Sequence, residues 1–449
     1  MSEERIKGKI NRRDFLHSAA ATGAGIAFSQ RGTAKANGGG KPDDINVALL
    51  GAGAEGQVLM NTILKIKNSG IRFKAVCDIW TAYNQKRAAG LLKRYRHPVN
   101  AYVNYEDMLA KEKDLDAVII ATPDFWHAPH TVACLEAGLH VYCEKEMSNT
   151  LEGARKMVEA ANKSGKLLQI GHQRRSNPRY RYCYEKLING AKLLGTITTV
   201  NGQWNRSRAA CEDLGFPKNA AIDKETLKKY GYDSMHQFRN WRWYKTLGGG
   251  PIVDLGSHQI DIYGWFLGTH PKAVMASGGI DYWKGHDWHD NVMAIYEYEL
   301  GDRTVRAFYQ TITTNSANGY FETFMGDEGS LQISEASGRG SVYREKWVKM
   351  GIITEAEKEQ EEQEEDSAPD YLLKVTPTPE PPRYEIPVTM EGKLYHQPHL
   401  ENFFDAIRGK AELNCPAEVG YETAVTVLKV NEAIETARKL SFKPEDFSV

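Results

Sequence analysis

Apolar and polar residues follow two different rhythms along this chain. From residue 45 to about 171, short, mainly apolar runs alternate with stretches of helical spacing. The runs are 45–50, 71–77, 116–121, 139–143 and 167–170; the helical stretches are 57–67, 82–96, 126–137 and 151–164. Strands covered on both faces read as continuous apolar runs, and strand–helix alternation is the mark of βαβ units around a parallel sheet. Beyond Gly171 the rhythm changes. Runs rich in Val, Ile, Thr, Tyr and Phe at 196–205, 273–279, 292–300, 304–314 and 319–325 predict a mostly antiparallel sheet, interrupted by one long helix at 251–267. Helical segments at 399–407 and 417–440 close the chain. Three stretches fit neither rhythm: a polar, Lys-rich insertion at 212–234, an acidic run at 355–366 read as a solvated helix or excursion, and an extended proline-rich linker at 376–382.

The first strand run leads directly into Gly51-Ala52-Gly53-Ala54-Glu55-Gly56, and a helix pattern follows. In a dinucleotide-binding turn Gly51 permits the sharp bend, Gly53 lets backbone approach a pyrophosphate, and Gly56 lets helix and strand pack closely. The helix N-terminus then presents unpaired N–H groups to the anion. Asp78 ends the next strand, 25 residues past Gly53, where an acid can bond ribose hydroxyls and repel a 2′-phosphate. The expectation is an α/β chain with an NAD-binding Rossmann domain at 43–171. A second α/β domain at 172–449 would carry a mostly antiparallel open sheet.

The first 36 residues fall outside that plan. Asn11-Arg12-Arg13-Asp14-Phe15-Leu16 resembles a twin-arginine export motif, an Ala/Gly-rich run follows, and Ala34-Lys35-Ala36 has the A-x-A form of a cleavage site. A periplasmic location is expected, and with it a cofactor loaded before export and then retained. The net charge of −1 gives no basic footprint for nucleic acid, and no run approaches the ~18 apolar residues of a membrane span. The six cysteines are scattered without a C-x-x-C pair and predict neither a metal nor a redox framework.

On the predicted helix 251–267, Asp254, His258 and Asp261 recur at i, i+4 and i+7 and so share one face. A histidine beside a carboxylate suits a general base drawing a proton from an alcohol. A dipole-serving aspartate with a buried histidine would give the same spacing.

Taken in order, G-x-G-x-x-G, Ala121-Thr122-Pro123 with His127, Cys143-Glu144-Lys145, the segment 171–178 with Gln173 and Arg174, and the run from Gly248 through Asp254 and His258 to Asp261 resemble the Gfo/Idh/MocA family of sugar oxidoreductases. The resemblance implies NAD held by Gly51, Gly53, Gly56, Asp78, Thr122, Pro123, His127, Glu144, Lys145 and Gln173. It implies Lys145 between nicotinamide and substrate hydroxyl, and Asp254 with His258 as the Asp/His pair. It also implies oligomerisation through the open sheet. Glu146 departs from the family pattern, which has proline there, often after a cis bond. A cis bond before another residue costs ~3–4 kcal/mol, so a differently placed Lys145 backbone is expected.

The substrate expected is a sugar or glycoside oxidised at a secondary hydroxyl. The alternative is NAD-dependent glycoside hydrolysis through transient C3 oxidation, elimination and re-reduction, as in some members of the superfamily. Seven of the nine tryptophans lie beyond residue 200, and aromatic faces suit sugar rings. Arg174, Trp241, Arg242, Asp254 and His258 are therefore the expected substrate contacts. The loop 285–290, with His286 and His289, is read as a substrate-contacting loop in preference to a metal site.

Overall fold

The computed structural model describes residues 44–336, 338–348 and 380–449. The stretch expected to be an export segment, the acidic run 355–366 and most of the proline-rich stretch lie outside them.

Six parallel strands form the first sheet: β1 (Ile45–Leu50), β2 (Ile71–Cys77), β3 (Asn100–Tyr102), β4 (Ala117–Ile120), β5 (His140–Cys143) and β6 (Leu168–Ile170). Their spatial order is β3-β2-β1-β4-β5-β6. The chain reverses direction across the sheet between β1 and β4, and the crevice beyond their carboxyl ends is where such sheets bind ligands. Alternate residues serve opposite faces. Val47, Leu49, Val76 and Ile119 meet helix Ala54–Lys65, whereas Ala48, Leu50, Val118 and Ile120 join the core continuous with the second domain.

One helix crosses the boundary expected from the sequence. Gln397–Ile407 belongs to the C-terminal stretch, yet it buries Leu400, Phe403 and Phe404 in the core of the first domain, against helix Ala54–Lys65 and Tyr142 of β5. Each of these side chains contributes about 1.5–3 kcal/mol by leaving water, enough to hold the residues just before the helix at the mouth of the crevice.

The second sheet has nine strands: β7 (Ile197–Asn205), β8 (Pro271–Gly279), β9 (Asn291–Leu300), β10 (Arg303–Ile312), β11 (Tyr320–Gly326), β12 (Gly329–Ile333), β13 (Gly340–Arg344), β14 (Arg383–Glu385) and β15 (Leu440–Ser441). In the order β14-β13-β12-β11-β7-β10-β9-β8-β15 every pairing is antiparallel except β7 with β10. Its inner face packs on helices Gly250–Leu267 and Ala417–Thr436. Its outer face leaves Met275, Met293 and Ile295 exposed on β8 and β9. Helix Gly250–Leu267 has Pro251 in its first turn and ends at Gly268 in the left-handed conformation, φ 68°.

The insertion without periodicity is ordered by aromatic burial instead. Leu227, Tyr230, Tyr232 and Met235 pack with Trp80, Trp241 and Leu247 in a satellite core roofing the crevice. All six cysteines are buried free thiols.

Candidate functional site

The crevice beyond β1 and β4 opens into one cleft of about 630 Å³ that runs from the glycine turn to the second sheet. At the near end Gly51 has φ 89°, and a Cβ there would fall 2.6 Å from the Ala121 carbonyl oxygen. A Cβ on Gly56 would meet the Gly51 carbonyl. At Gly53 the nearest atom to such a Cβ is Asn84 Nδ2, 4.0 Å away, so this side of the turn is open space. Gly53 caps helix Ala54–Lys65 with no side-chain hydrogen bond, leaving first-turn N–H groups for a ligand. A pyrophosphate fits that cradle.

Asp78 lines the same end. Its carboxylate accepts from Ala52 N–H and Trp80 N–H, each at 2.7 Å, and so fixes the glycine turn against β2. Burial raises its pKa, while these bonds and Asn84 pull it down less strongly. Thr122 and Pro123 line the cleft after β4. His127 is buried behind them, with Nε2 2.6 Å from the Thr122 carbonyl and Nδ1 2.7 Å from that of Glu146. Burial pushes its pKa down to about 4 although both carbonyls favour the protonated ring; a neutral ring carries one N–H and donates to only one of these oxygens.

Glu144 accepts from Tyr142 OH at 3.1 Å and from Lys145 N–H at 3.2 Å; burial and then Glu55 push it up to about 8. His396, delivered by the returning C-terminal segment, lies 3.2 Å from Glu55. Glu55, Glu144 and His396 form the one trio of metal-type ligand atoms among the described residues, within 4.8 Å of one another. It lies on the dinucleotide floor. Gln173 also lines the cleft and donates to Glu335 at 3.3 Å.

Lys145, Asp254 and His258 meet in the middle of the cleft. The Lys145–Glu146 bond is cis, so the departure from proline is not accompanied by a trans backbone. Lys145 Nζ donates to the Asp254 carbonyl at 2.5 Å and to its carboxylate at 3.2 Å; Arg242 Nε reaches the same carboxylate oxygen at 3.2 Å. Burial alone would raise Asp254, but Lys145, Arg242 and Arg206 together hold it well below the usual carboxylate range.

His258 is buried, with its ring 5.1 Å from that of Trp204. Its Nδ1 has no hydrogen-bond partner among the described residues. The expectation that Asp254 would orient this imidazole is not met, because Lys145 and Arg242 engage that carboxylate. Burial, and then the charges of Lys145 and Arg174, hold His258 well below its ordinary pKa and hence neutral. Asp261, one turn further on, pairs with Arg175 at 2.7 Å and accepts from Thr423 at 3.0 Å, an anchoring role.

Asp124, at the carboxyl end of β4, had no role assigned from the sequence. It is buried at the start of helix Asp124–Glu136, and burial lifts it to about 7 despite Arg242 and Lys145. Arg206 and Tyr320 were also missed; both line the far wall, where Trp204 stacks on Tyr320 at 4.5 Å. Trp241 lines this region under the Arg242 guanidinium, 4.3 Å from its ring centre.

Two expected substrate contacts stand elsewhere. Arg174 is 1% exposed, with Nε 2.8 Å from Glu335 and Nη1 on Glu322, because two buried carboxylates claim its charge. The loop 285–290 lies behind the wall: His286 stacks on Trp243 at 4.0 Å and bonds Asp213 at 2.9 Å.

Family models match both parts of the chain: the Gfo/Idh/MocA oxidoreductase family, NAD-binding Rossmann fold, over residues 45–172, and its C-terminal alpha/beta domain over 188–442. An inositol 2-dehydrogenase of Rubrobacter xylanophilus is 32% identical over 311 residues, 67% of this chain and 74% of that protein. A glycosyl hydrolase family 109 protein of Shewanella baltica is 29% identical over 177 residues, 35% of this chain and 38% of that one. The chain spans little more than half the length, 54% to 58%, of the first curated relatives it matches. The WlbA dehydrogenase of Chromobacterium violaceum, solved with NADH and UDP-GlcNAcA, shares the fold with a TM-score of 0.62 at 20% identity, over 90% of this chain and 97% of that one.

Proposed function

The chain belongs to the Gfo/Idh/MocA oxidoreductase family, and from that membership we propose that it oxidises a secondary hydroxyl of a sugar or glycoside using a tightly held NAD. The observation that carries this reading is the convergence of Lys145, Asp254 and His258 between the glycine cradle and an aromatic wall in one cleft. When bound, NAD supplies the hydride acceptor. The chain's own residues manage the proton and the orientation. Neutral His258 has a lone pair to take the hydroxyl proton. Lys145 Nζ, held by Asp254, donates to the reacting oxygen as negative charge builds there. Trp204 and Tyr320 offer a face for a sugar ring.

The test is a single turnover. The purified protein, given candidate sugars without added nucleotide, should develop NADH absorbance. Denaturing it should release nicotinamide nucleotide, and a supernatant free of nucleotide would defeat the reading. Export by the twin-arginine route is part of the same proposal. Replacing Arg12 and Arg13 with lysine should trap the protein in the cytoplasm, and export that survives the change would reject that route. A second copy is proposed to cover the outer sheet face at Met275, Met293 and Ile295. A monomer in sedimentation at micromolar concentration would refute that.

A second reading, glycoside hydrolysis through transient oxidation, draws on the family 109 relative. Aglycone release from aryl glycosides without net NADH would select it.

A further inference from the structure

Resting on the reading of the cleft as a sugar site, we infer that the substrate carries a negative charge, a carboxylate or sulfate ester, and that Arg206 recognises it. Three cationic side chains line the reacting end of the cleft, Lys145, Arg206 and Arg242. Two of them share the Asp254 carboxylate. Every other acid on that wall is committed or protonatable. Glu335 is taken by Arg174 at 2.8 Å, Glu212 by Arg208 at 2.9 Å, and Asp124 is lifted to about 7 by burial.

Arg206 alone of the three makes no ion pair and no side-chain hydrogen bond among the described residues. Its guanidinium lies over the Trp204 ring at 5.8 Å, and Trp204 in turn meets His258. Tyr320 stacks on Trp204, so a sugar with its reacting hydroxyl at His258 lies against the edge of this aromatic pair, with Arg206 beside it. A guanidinium there has its donors free, in a fork that matches carboxylate or sulfate oxygens. The neighbouring positive charges favour an anion and penalise a second cation.

Calorimetry on the full-length protein with its retained cofactor tests the inference without requiring turnover. The ligands are methyl gluco-, galacto- and mannosides, each neutral, as the uronate and as the 6-sulfate. At least one uronate or sulfate should bind ~10–100-fold more tightly than its neutral counterpart, the range of a charge-assisted hydrogen-bonded contact. The gap should narrow with added salt. Arg206→Gln should erase it, while cofactor content and the denaturant unfolding transition stay as in wild type, which certifies the fold. Arg206→Lys should keep part of it. Whether uronate or sulfate gains identifies the source of the charge. Neutral sugars binding as tightly as both anionic series, or a gap that survives Arg206→Gln, overturns the inference while the sugar reading stands. Binding by none of the panel overturns both.

Discussion

At the glycine end of the cleft, the groups that meet a ligand are mostly backbone: the turn at Gly51 and Gly53, the bare start of helix Ala54–Lys65, and the loop after β4. At the other end they are charged and aromatic side chains from segments far apart in the chain, Lys145, Arg206, Arg242, Asp254, His258 and Tyr320. Backbone N–H groups keep their direction whatever the pH, so the first end is a fixed socket. The second end depends on which carboxylate answers which cation, and so on protonation and on neighbours. Within such a wall an arginine can be spent, like Arg174, or free, like Arg206.

The largest expected effect falls on the side-chain end. His258→Ala should retain NAD as wild type does, because the cradle is untouched, yet reduce it ~10²–10⁴-fold more slowly in a single turnover. An unchanged rate would remove His258 from the chemistry. Next in size is Arg174→Met. It leaves Glu322 and Glu335 buried without their cation, which should cost about 3–5 kcal/mol in denaturant unfolding. Substrate affinity of the folded fraction should barely move. A raised KM with unchanged stability would return Arg174 to the substrate contacts.

The two ends also differ in how far they can be read from sequence. Gly51, Gly53, Gly56 and Asp78 fall within 28 residues, and each has a single steric or charge reason to be where it is. The stacking of Asp254 and His258 follows from helical spacing alone. What spacing cannot disclose is pairing. Lys145 and Asp254 are 109 residues apart, and Arg174 lies 148 and 161 residues from its two carboxylates. The motif around Gln173 made Arg174 look available, and only the fold brings Glu322 and Glu335 onto it. The insertion 212–234 lacked periodicity because its order comes from Leu227, Tyr230 and Tyr232 joining one cluster with Trp80 and Trp241, side chains that lie outside the insertion. Strands β12 to β14 are short and carry Gly, Ser and Arg, too weak a pattern to stand out.

Glu146 tests the link between the two ends through pH. Its carboxyl is 1% exposed and Oε2 has no partner, so burial, first, pushes it from 4.5 up to about 8. A folded-state pKa above the unfolded value means the folded form holds its proton longer. The stability tied to that proton is full below about pH 4.5 and is lost as pH rises toward 8. Asp124 and Glu144 act with the same sign, so the wild-type slope alone does not isolate Glu146. The difference between wild type and Glu146→Gln does. Relative to wild type, the glutamine protein should gain on the order of a few kcal/mol between pH 5 and pH 8. Parallel profiles would place this carboxyl in contact with water or a cation.

The smallest expected change is at the fixed socket, where Asp78 combines a structural and an electrostatic task. Its oxygens hold the Ala52 and Trp80 amides, and the same charge would repel a 2′-phosphate. Asp78→Asn keeps one carbonyl oxygen for an amide and removes the charge. The NH2 group that replaces the other oxygen cannot accept from the second amide, so the turn should loosen slightly while the bias against NADP weakens. In a partly solvated crevice, the repulsion between one carboxylate and a phosphate a few ångströms away is worth on the order of 1–4 kcal/mol, and ribose hydroxyls still find one acceptor. The ratio of NAD to NADP affinity, measured on protein stripped of its nucleotide and reloaded, should fall about tenfold, chiefly through tighter NADP binding. A ratio that holds while both affinities drop together would mean that Asp78 serves only to brace the glycine turn, and that cofactor choice is made by another residue of the cleft.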